Sequence, residues 1–154
     1  MLDHLLRDLK EGFLDILYPP DVNCILCHSE EKILPGYNLC RSCMDKLPFI
    51  KPPLCSVCGK PMSFGGLCPD CGKGYREFIL ARSVLEYEGI VRKMIYRYKY
   101  GGEQYFAVPF GRFLWDSLQQ WQDDWAVEVL IPVPLHANRW KMRGFNQAEL
   151  LCRE

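Results

Sequence analysis

Apolar residues follow different spacings along the chain, and these spacings divide it into three parts. From Leu2 to Leu17 apolar side chains recur every three or four residues, which predicts an amphipathic packing helix over residues 1–20. Residues 21–74 are rich in Pro, Gly and Cys and lack apolar periodicity, so this part cannot bury much of a core alone. Residues 75–154 regain periodic stretches. The pattern predicts a small module followed by a larger domain.

The elements predicted within residues 75–154 are strands and helices in this order: a strand over Ile79–Tyr87, a helix from Gly89 that ends at Gly101 and Gly102, a helix over residues 103–121, a buried strand over residues 128–133, a loop from Pro134, and a helix that opens at Asn146. This order is typical of an α/β domain. Because a sheet that covers such helices needs more strands, we expect an incomplete α/β domain, the front part of a longer protein.

Cysteine spacing gives the strongest chemical signal. Eight of the nine cysteines form four pairs with two residues between the thiols: Cys24 and Cys27, Cys40 and Cys43, Cys55 and Cys58, Cys68 and Cys71. One tight turn can aim both sulfurs of such a pair at one ion, and two turns complete a tetrahedron of thiolates. The spacing therefore predicts two zinc ions that hold residues 21–74 folded as a double zinc ribbon.

The pairing of the four turns stays open at this point. Sequential pairing joins the first two pairs and the last two, whereas an interleaved arrangement would join the first and third. A disulfide framework would require an oxidising compartment, and no export signal or membrane span is apparent, so we expect a cytoplasmic protein. His28 is expected at the surface, and Cys152, which has no partner in the pattern, is expected to be buried.

Composition adds little about partners. The chain has 154 residues, of which 49% are hydrophobic and 25% charged, so it should fold rather than act as a disordered tail. Its formal net charge is zero, and eight thiolates with two Zn²⁺ bring that to about −4. Any contact with nucleic acid must therefore come from a local basic patch.

One such patch lies in the helix predicted from Gly89. Between Gly89 and Tyr100 no acidic residue occurs, and the side chains that could meet phosphates or bases are Arg92, Lys93, Tyr96, Arg97 and Lys99. Cations for phosphates and aromatic rings for bases are what single-stranded nucleic acid requires. The alternative is an ordinary solvated face whose tyrosines pack on the domain.

Several motifs resemble those of the ComF (ComFC) family of bacterial competence proteins. They are the segment from Leu17 to Cys27, the four cysteine pairs, Lys99-Tyr-Gly-Gly102, Ile131-Pro-Val-Pro-Leu-His136 and Arg143-Gly-Phe-Asn-Gln147. The resemblance covers nearly the whole chain. It implies a double zinc ribbon followed by a domain similar to the type I phosphoribosyltransferase fold, acting on incoming single-stranded DNA together with DNA-uptake or recombination proteins.

The resemblance also implies a second ligand, PRPP with Mg²⁺, in a full-length protein. The residues that match the pyrophosphate loop are His136, Arg139, Arg143 and Gln147. The alternative is that Arg143 to Gln147 cap and pack the next helix. The acidic pair that leads into a Thr- and Gly-rich loop is missing, because Asp123-Asp124 precedes Trp125 and is expected to be a solvated turn. We therefore expect this chain to be inactive alone, with its catalytic residues unknown. The remaining alternative is a scaffold that contacts partners through loops such as residues 62–67.

Overall fold

A computed structural model describes residues 22–74, 76–120 and 127–154. The helix predicted over residues 1–20 and the turn at Asp123-Asp124 lie outside the described residues.

Two ribbons form the amino-terminal part of the described chain. In the first ribbon, strand β1 (Ile33–Leu34) pairs antiparallel with β2 (Leu39–Cys40), and helix α1 (Arg41–Met44) follows directly. The second ribbon has only isolated bridges, Leu54 with Pro61 and Cys55 with Gly66, and a short 3-10 turn over Cys71–Lys73. Such short elements cannot enclose a core, which agrees with the missing apolar periodicity.

Among the described residues, four helices follow the ribbons. Helix α2 spans Gly89–Tyr100, a 3-10 turn over Gln104–Phe106 leads into α3 (Ala107–Gln120), and α4 (Ala137–Arg143) and α5 (Gln147–Arg153) follow. Helices α2 and α3 confirm the sequence predictions. Asn146 caps α5, because its side chain accepts a hydrogen bond from the backbone N–H of Ala148. Helix α4 lies where a loop was predicted.

The core joins the first ribbon to the helices. The fully buried side chains of Leu39, Val91, Met94 and Phe106 belong to one cluster, and three cysteines of the first ribbon belong to it as well. Tyr98 ties α2 to α5, since its hydroxyl donates a hydrogen bond of 2.8 Å to the backbone oxygen of Gln147. The first ribbon is therefore part of the same folded body as α2 and α3.

Both strands predicted in residues 75–154 are wrong. Ile79–Tyr87 forms only one bridge, between Leu85 and Phe49, because its backbone hydrogen bonds are divided between two partners: Val84 and Glu86 bond to residues 48–50, whereas the Ala81 N–H donates to the Val57 oxygen. Residues 128–133 form no strand, and Ile131 is 82% exposed. Among the described residues the one sheet is the two-stranded sheet of the first ribbon, so they form no parallel α/β sheet.

Cys152 is exposed rather than buried, which corrects the expectation for the ninth cysteine. It lies on α5, where Leu150 and Leu151 pack against the core cluster. The Cys152 thiol therefore faces outward. None of the helices in the described residues has the length and apolar character needed to cross a bilayer.

Candidate metal centres and nucleic-acid surface

The first cysteine cluster contains Cys24, Cys27, Cys40 and Cys43, whose sulfur atoms all lie within 4.8 Å of one another. Cys27 and Cys24 come from a tight turn, and β2 with α1 supplies the other two thiols. The Sγ atoms of Cys27 and Cys40 are 3.7 Å apart. Four sulfurs about 2.3 Å from one zinc ion lie about 3.8 Å apart in a tetrahedron, so the cluster already has the required size.

The thiols of this cluster differ in their pKa. Hydrogen bonds with the Ser29 side chain and backbone lower the pKa of Cys27 to about 6. Burial raises the pKa of Cys43, and the neighbouring thiols raise it further. Without a cation only part of the cluster ionises near neutral pH, since each thiolate disfavours the next. A divalent ion that binds thiolates removes this obstacle, which is the chemistry of a structural zinc site.

The second cluster contains Cys55, Cys58, Cys68 and Cys71, again within 4.8 Å of one another, and the Sγ atoms of Cys58 and Cys68 are 3.7 Å apart. Backbone N–H groups donate to its sulfurs, from Cys68 to Cys55 Sγ and from Cys71 to Cys68 Sγ, both at 3.4 Å. Backbone donors lower the pKa of Cys55 to about 6, whereas burial raises that of Cys71 to about 12. This arrangement also fits zinc.

The two clusters decide the pairing question. Each cluster unites two turns that are consecutive in the chain, so the pairing is sequential and the interleaved arrangement is wrong. His28 belongs to neither cluster and is exposed, as expected.

The first ribbon is anchored on the helices through Tyr37, which lies in the turn between β1 and β2. The Tyr37 ring packs against Phe113 of α3, with ring centroids 5.4 Å apart, and its hydroxyl donates to the Asp116 carboxylate. Phe49 meets the same Phe113 ring edge-on at 5.4 Å. A metal ion in the first cluster would therefore stabilise the ribbon whose Tyr37 side chain packs against α3.

Helix α2 presents two of its tyrosines to solvent. Tyr96 is 65% exposed and Tyr100 51% exposed, and their ring centroids are 5.1 Å apart. Arg92, Tyr96 and Lys99 share one face, since they are separated by four and three residues. We call Arg92, Tyr96, Lys99 and Tyr100 the strand face. All four are exposed.

Arg97 differs from the other cations of α2. Its Nε atom lies 2.9 Å from both carboxylate oxygens of Glu103, its Nη2 lies 3.1 Å from the Tyr105 hydroxyl, and its guanidinium stacks 4.9 Å from the Phe106 ring centroid. These contacts fix the turn at Gly101 between α2 and α3. Arg97 is therefore engaged inside the fold, whereas Arg92, Lys93 and Lys99 form no ion pair among the described residues.

The pyrophosphate-loop residues lie around α4, and two of them are already engaged. Arg143 donates from Nη1 to the Gln147 side-chain oxygen at 2.9 Å and from Nη2 to the Tyr100 hydroxyl at 3.2 Å. Gln147 is only 6% exposed. His136 caps α4 through its Nδ1, and Arg139 is exposed. The loop thus meets the strand face at Tyr100, a contact that sequence spacing did not reveal.

Comparisons with known proteins agree with this architecture. The double zinc ribbon domain family matches residues 13–72. The chain is 31% identical over 145 residues to the competence protein ComFC of Bacillus subtilis (strain 168), which covers 84% of this chain and 60% of that protein. The chain belongs to the ComF/ComFC family. Competence protein ComFC of Streptococcus pneumoniae (strain ATCC BAA-255 / R6) is 24% identical over 141 residues, covering 83% of this chain and 62% of that protein. No solved structure matches the chain.

This ComF-family chain therefore spans about three fifths of the length of the curated relatives that it matches. The family assignment confirms the resemblance seen in the sequence, and the zinc-ribbon half of the predicted architecture is confirmed with it. The phosphoribosyltransferase-like fold of residues 75–154 stays a prediction.

Gly59 allows a test of the second ribbon. It follows Cys58 with φ +69°, and a Cβ atom there would lie 2.8 Å from the Ala81 backbone oxygen. Gly59→Ala should lower the free energy of unfolding by about 1 to 2 kcal/mol from the left-handed backbone alone. Gly65→Ala, where a Cβ atom would meet nothing within 4 Å, is the control. Equal denaturant midpoints for the two variants would contradict the expectation.

Proposed function

We propose that this chain is a cytosolic ComF-like protein of competence and DNA uptake that binds single-stranded DNA through the strand face of α2. The observation that carries the proposal is the exposed pair Tyr96 and Tyr100, which lies beside exposed cations of the same helix. Exposed aromatic rings stack on bases of any sequence, and lysine and arginine neutralise the phosphates between them. The printed names of the relatives support the link to competence.

The charge of the strand face supports the same ligand. Helix α2 contains no acidic residue, so nothing on the helix itself repels a phosphate. Arg92 and Lys99 lie about 10 Å apart along the helix, because they are seven positions apart and each position adds about 1.5 Å. Tyr96 lies between them on that face, so a base stacked there would have cations on both sides. Local charge, rather than net charge, would therefore attract the strand.

Zinc would support this function indirectly. The first ribbon packs on α3 through Tyr37, and α3 is joined to α2 through the core at Phe106 and Phe110. An ion in the first cluster would therefore keep the strand face in place without contacting DNA. Uptake or recombination proteins as partners, and a scaffolding role for the loop at residues 62–67, stay predictions. Phe64 in that loop is 71% exposed.

The described residues do not fit PRPP with Mg²⁺. Of the four loop candidates, Gln147 is buried and Arg143 is bound to Gln147 and Tyr100, which leaves only His136 and Arg139 exposed. The sequence has no acidic pair leading into a Thr- and Gly-rich loop to hold the ribose and its phosphate. We propose no phosphoribosyl transfer by these residues.

The dependence of binding on salt tests the proposal. For the zinc-loaded chain and fluorescent oligothymidylate, the logarithm of the association constant should fall with the logarithm of salt, and the three exposed cations of α2, Arg92, Lys93 and Lys99, should together contribute about −2 to that slope, at about −0.7 each. Arg92→Ala with Lys99→Ala should reduce the magnitude of that slope by about 1.4. Tyr96→Leu should weaken binding at an unchanged slope, because stacking releases no counterions.

The matched control is Lys32→Ala with Lys46→Ala, which removes two exposed cations from the first ribbon. This control should keep the parent affinity and slope. If both double variants behaved alike, the cations of α2 would be an ordinary solvated face. If the parent chain failed to bind even at low salt, strand binding would be abandoned.

A further inference from the structure

Helix α4 brings a second group of cations to the edge of the strand face. It contains Arg139, Lys141 and Arg143 and no acidic residue. Arg143 contacts Tyr100 both by its hydrogen bond and by stacking, with its guanidinium carbon 4.9 Å from the ring centroid. Trp140, which neighbours Arg139, is 47% exposed. Residues 43 positions apart in the sequence thus form one continuous surface.

We propose that α4 forms the second wall of the single-strand site, with Arg139 binding a phosphate and Arg143 positioning Tyr100. This inference rests on the proposed function, and it assigns both arginines to DNA binding. It adds one cation to the strand face and gives the exposed tyrosine pair a fixed support.

The geometry around Tyr100 explains the role of Arg143. The centroid of the Tyr100 ring lies 5.1 Å from the centroid of the Tyr96 ring and 4.9 Å from the guanidinium carbon of Arg143. Arg143 is itself held by the buried Gln147 side chain, so it is fixed before any ligand arrives. An aromatic pair that is already ordered loses less side-chain entropy when a base stacks on it. Arg143 is therefore a positioning residue rather than a phosphate ligand.

Arg139, in contrast to Arg143, is exposed and can reach a phosphate. It forms no ion pair among the described residues, and it lies close enough to the Tyr100 hydroxyl to contribute, after Arg143, to the lowered pKa of that group. An exposed guanidinium at the border of an aromatic surface can bind phosphate in a bidentate manner. Arg139 thus extends the cationic row of α2 across the gap between the two helices.

The test compares Arg139→Ala with Lys141→Ala in the zinc-loaded chain, using fluorescent oligothymidylate. Lys141 is two residues from Arg139 and so lies on the other side of the same short helix, which makes it a matched control for charge. Arg139→Ala should lose about fivefold in affinity at roughly 0.1 M salt and about 0.7 of the slope. Lys141→Ala should keep both.

Arg143→Lys tests the positioning role, because it keeps the charge but loses the planar stacking and the fork of donors. Affinity should fall with the salt slope unchanged. The pKa of Tyr100, which Arg143 lowers, should rise in this variant, measured as phenolate absorbance against Tyr100→Phe. An unchanged tyrosine titration would overturn the assignment of Arg143.

The outcomes separate the two proposals. If the parent chain does not bind the oligonucleotide, the proposed function fails. If the parent binds and the Arg92 and Lys99 double variant is weakened, but Arg139→Ala matches Lys141→Ala, then α4 is not part of the site and only this inference fails. Weakening by both the double variant and Arg139→Ala supports the two-walled site.

Discussion

Cys43→Ser is expected to unfold the first ribbon and the helices together, whereas Cys58→Ser should release only the second ribbon. A structural zinc ion contributes about 10 to 16 kcal/mol of folding free energy, compared with a total stability of about 5 to 15 kcal/mol for an ordinary domain. Whatever part of the fold depends on one ion should therefore be lost with it. The residues that pack around each cluster determine how much of the fold that is.

The two clusters differ in what packs around them. Cys43 is 5% exposed and lies in the same apolar cluster as Val91 and Phe113 of the helices. Tyr37, carried by the same ribbon, covers Phe113 directly. The cysteines of the second cluster are absent from that apolar cluster, among the described residues, and Cys58 is partly exposed. Loss of the first ion should expose the helical core, and loss of the second should not.

Elemental analysis and far-ultraviolet circular dichroism check this expectation. Both variants should retain about one zinc ion per chain, but the helical signal should collapse in Cys43→Ser and persist in Cys58→Ser. Cys152→Ser, which removes an exposed thiol outside both clusters, should keep two ions and the parent spectrum. A cooperative thermal transition at the parent midpoint in Cys43→Ser would show that the helices fold without the first site.

Cysteine spacing predicted the metal centres well because each pair of zinc ligands lies within one short turn of the chain. Two thiols separated by two residues fit one turn, and only the choice of partner turn needed coordinates. Helices α2 and α3 were predicted well for a similar reason, because their apolar faces are continuous and glycines mark the boundary between them. Helix α4 was missed, because its seven residues are too few and too polar for a periodic signal.

The strands failed because strand formation depends on distant partners. Ile79–Tyr87 has the composition of a strand, but its backbone hydrogen bonds are divided between residues 48–50 and Val57, so no continuous ladder forms. Pro132 lacks a backbone N–H and interrupts any ladder along residues 128–133. Contacts between distant side chains were equally hidden, such as those from Tyr100 to Arg143. No local pattern in the sequence reports which loop returns to which helix.

Arg97→Ala should lower the free energy of unfolding by about 2 to 3 kcal/mol without changing the salt slope of strand binding. The expected loss reflects charge-assisted hydrogen bonds to Glu103, each worth about 1.5 to 3 kcal/mol when a charged group is involved. The side chains of Arg97 and Glu103 are 32% and 24% exposed, so solvent screens the pair only in part. Stacking of the guanidinium on Phe106 adds to the loss.

The dependence of this loss on pH identifies its origin. Arg97 lowers the pKa of Glu103 below its ordinary value of 4.5, so the stabilisation is present above that value and is lost as pH falls through the lowered pKa. Denaturant midpoints of the parent and Arg97→Ala should therefore differ most near neutral pH and converge in acid. Arg41→Ala removes an exposed helix pair with Asp45 and should cost less than about 0.5 kcal/mol. If Arg97→Ala instead kept the parent midpoint and lost about 0.7 of the salt slope, Arg97 would be a phosphate ligand that leaves Glu103 when DNA binds.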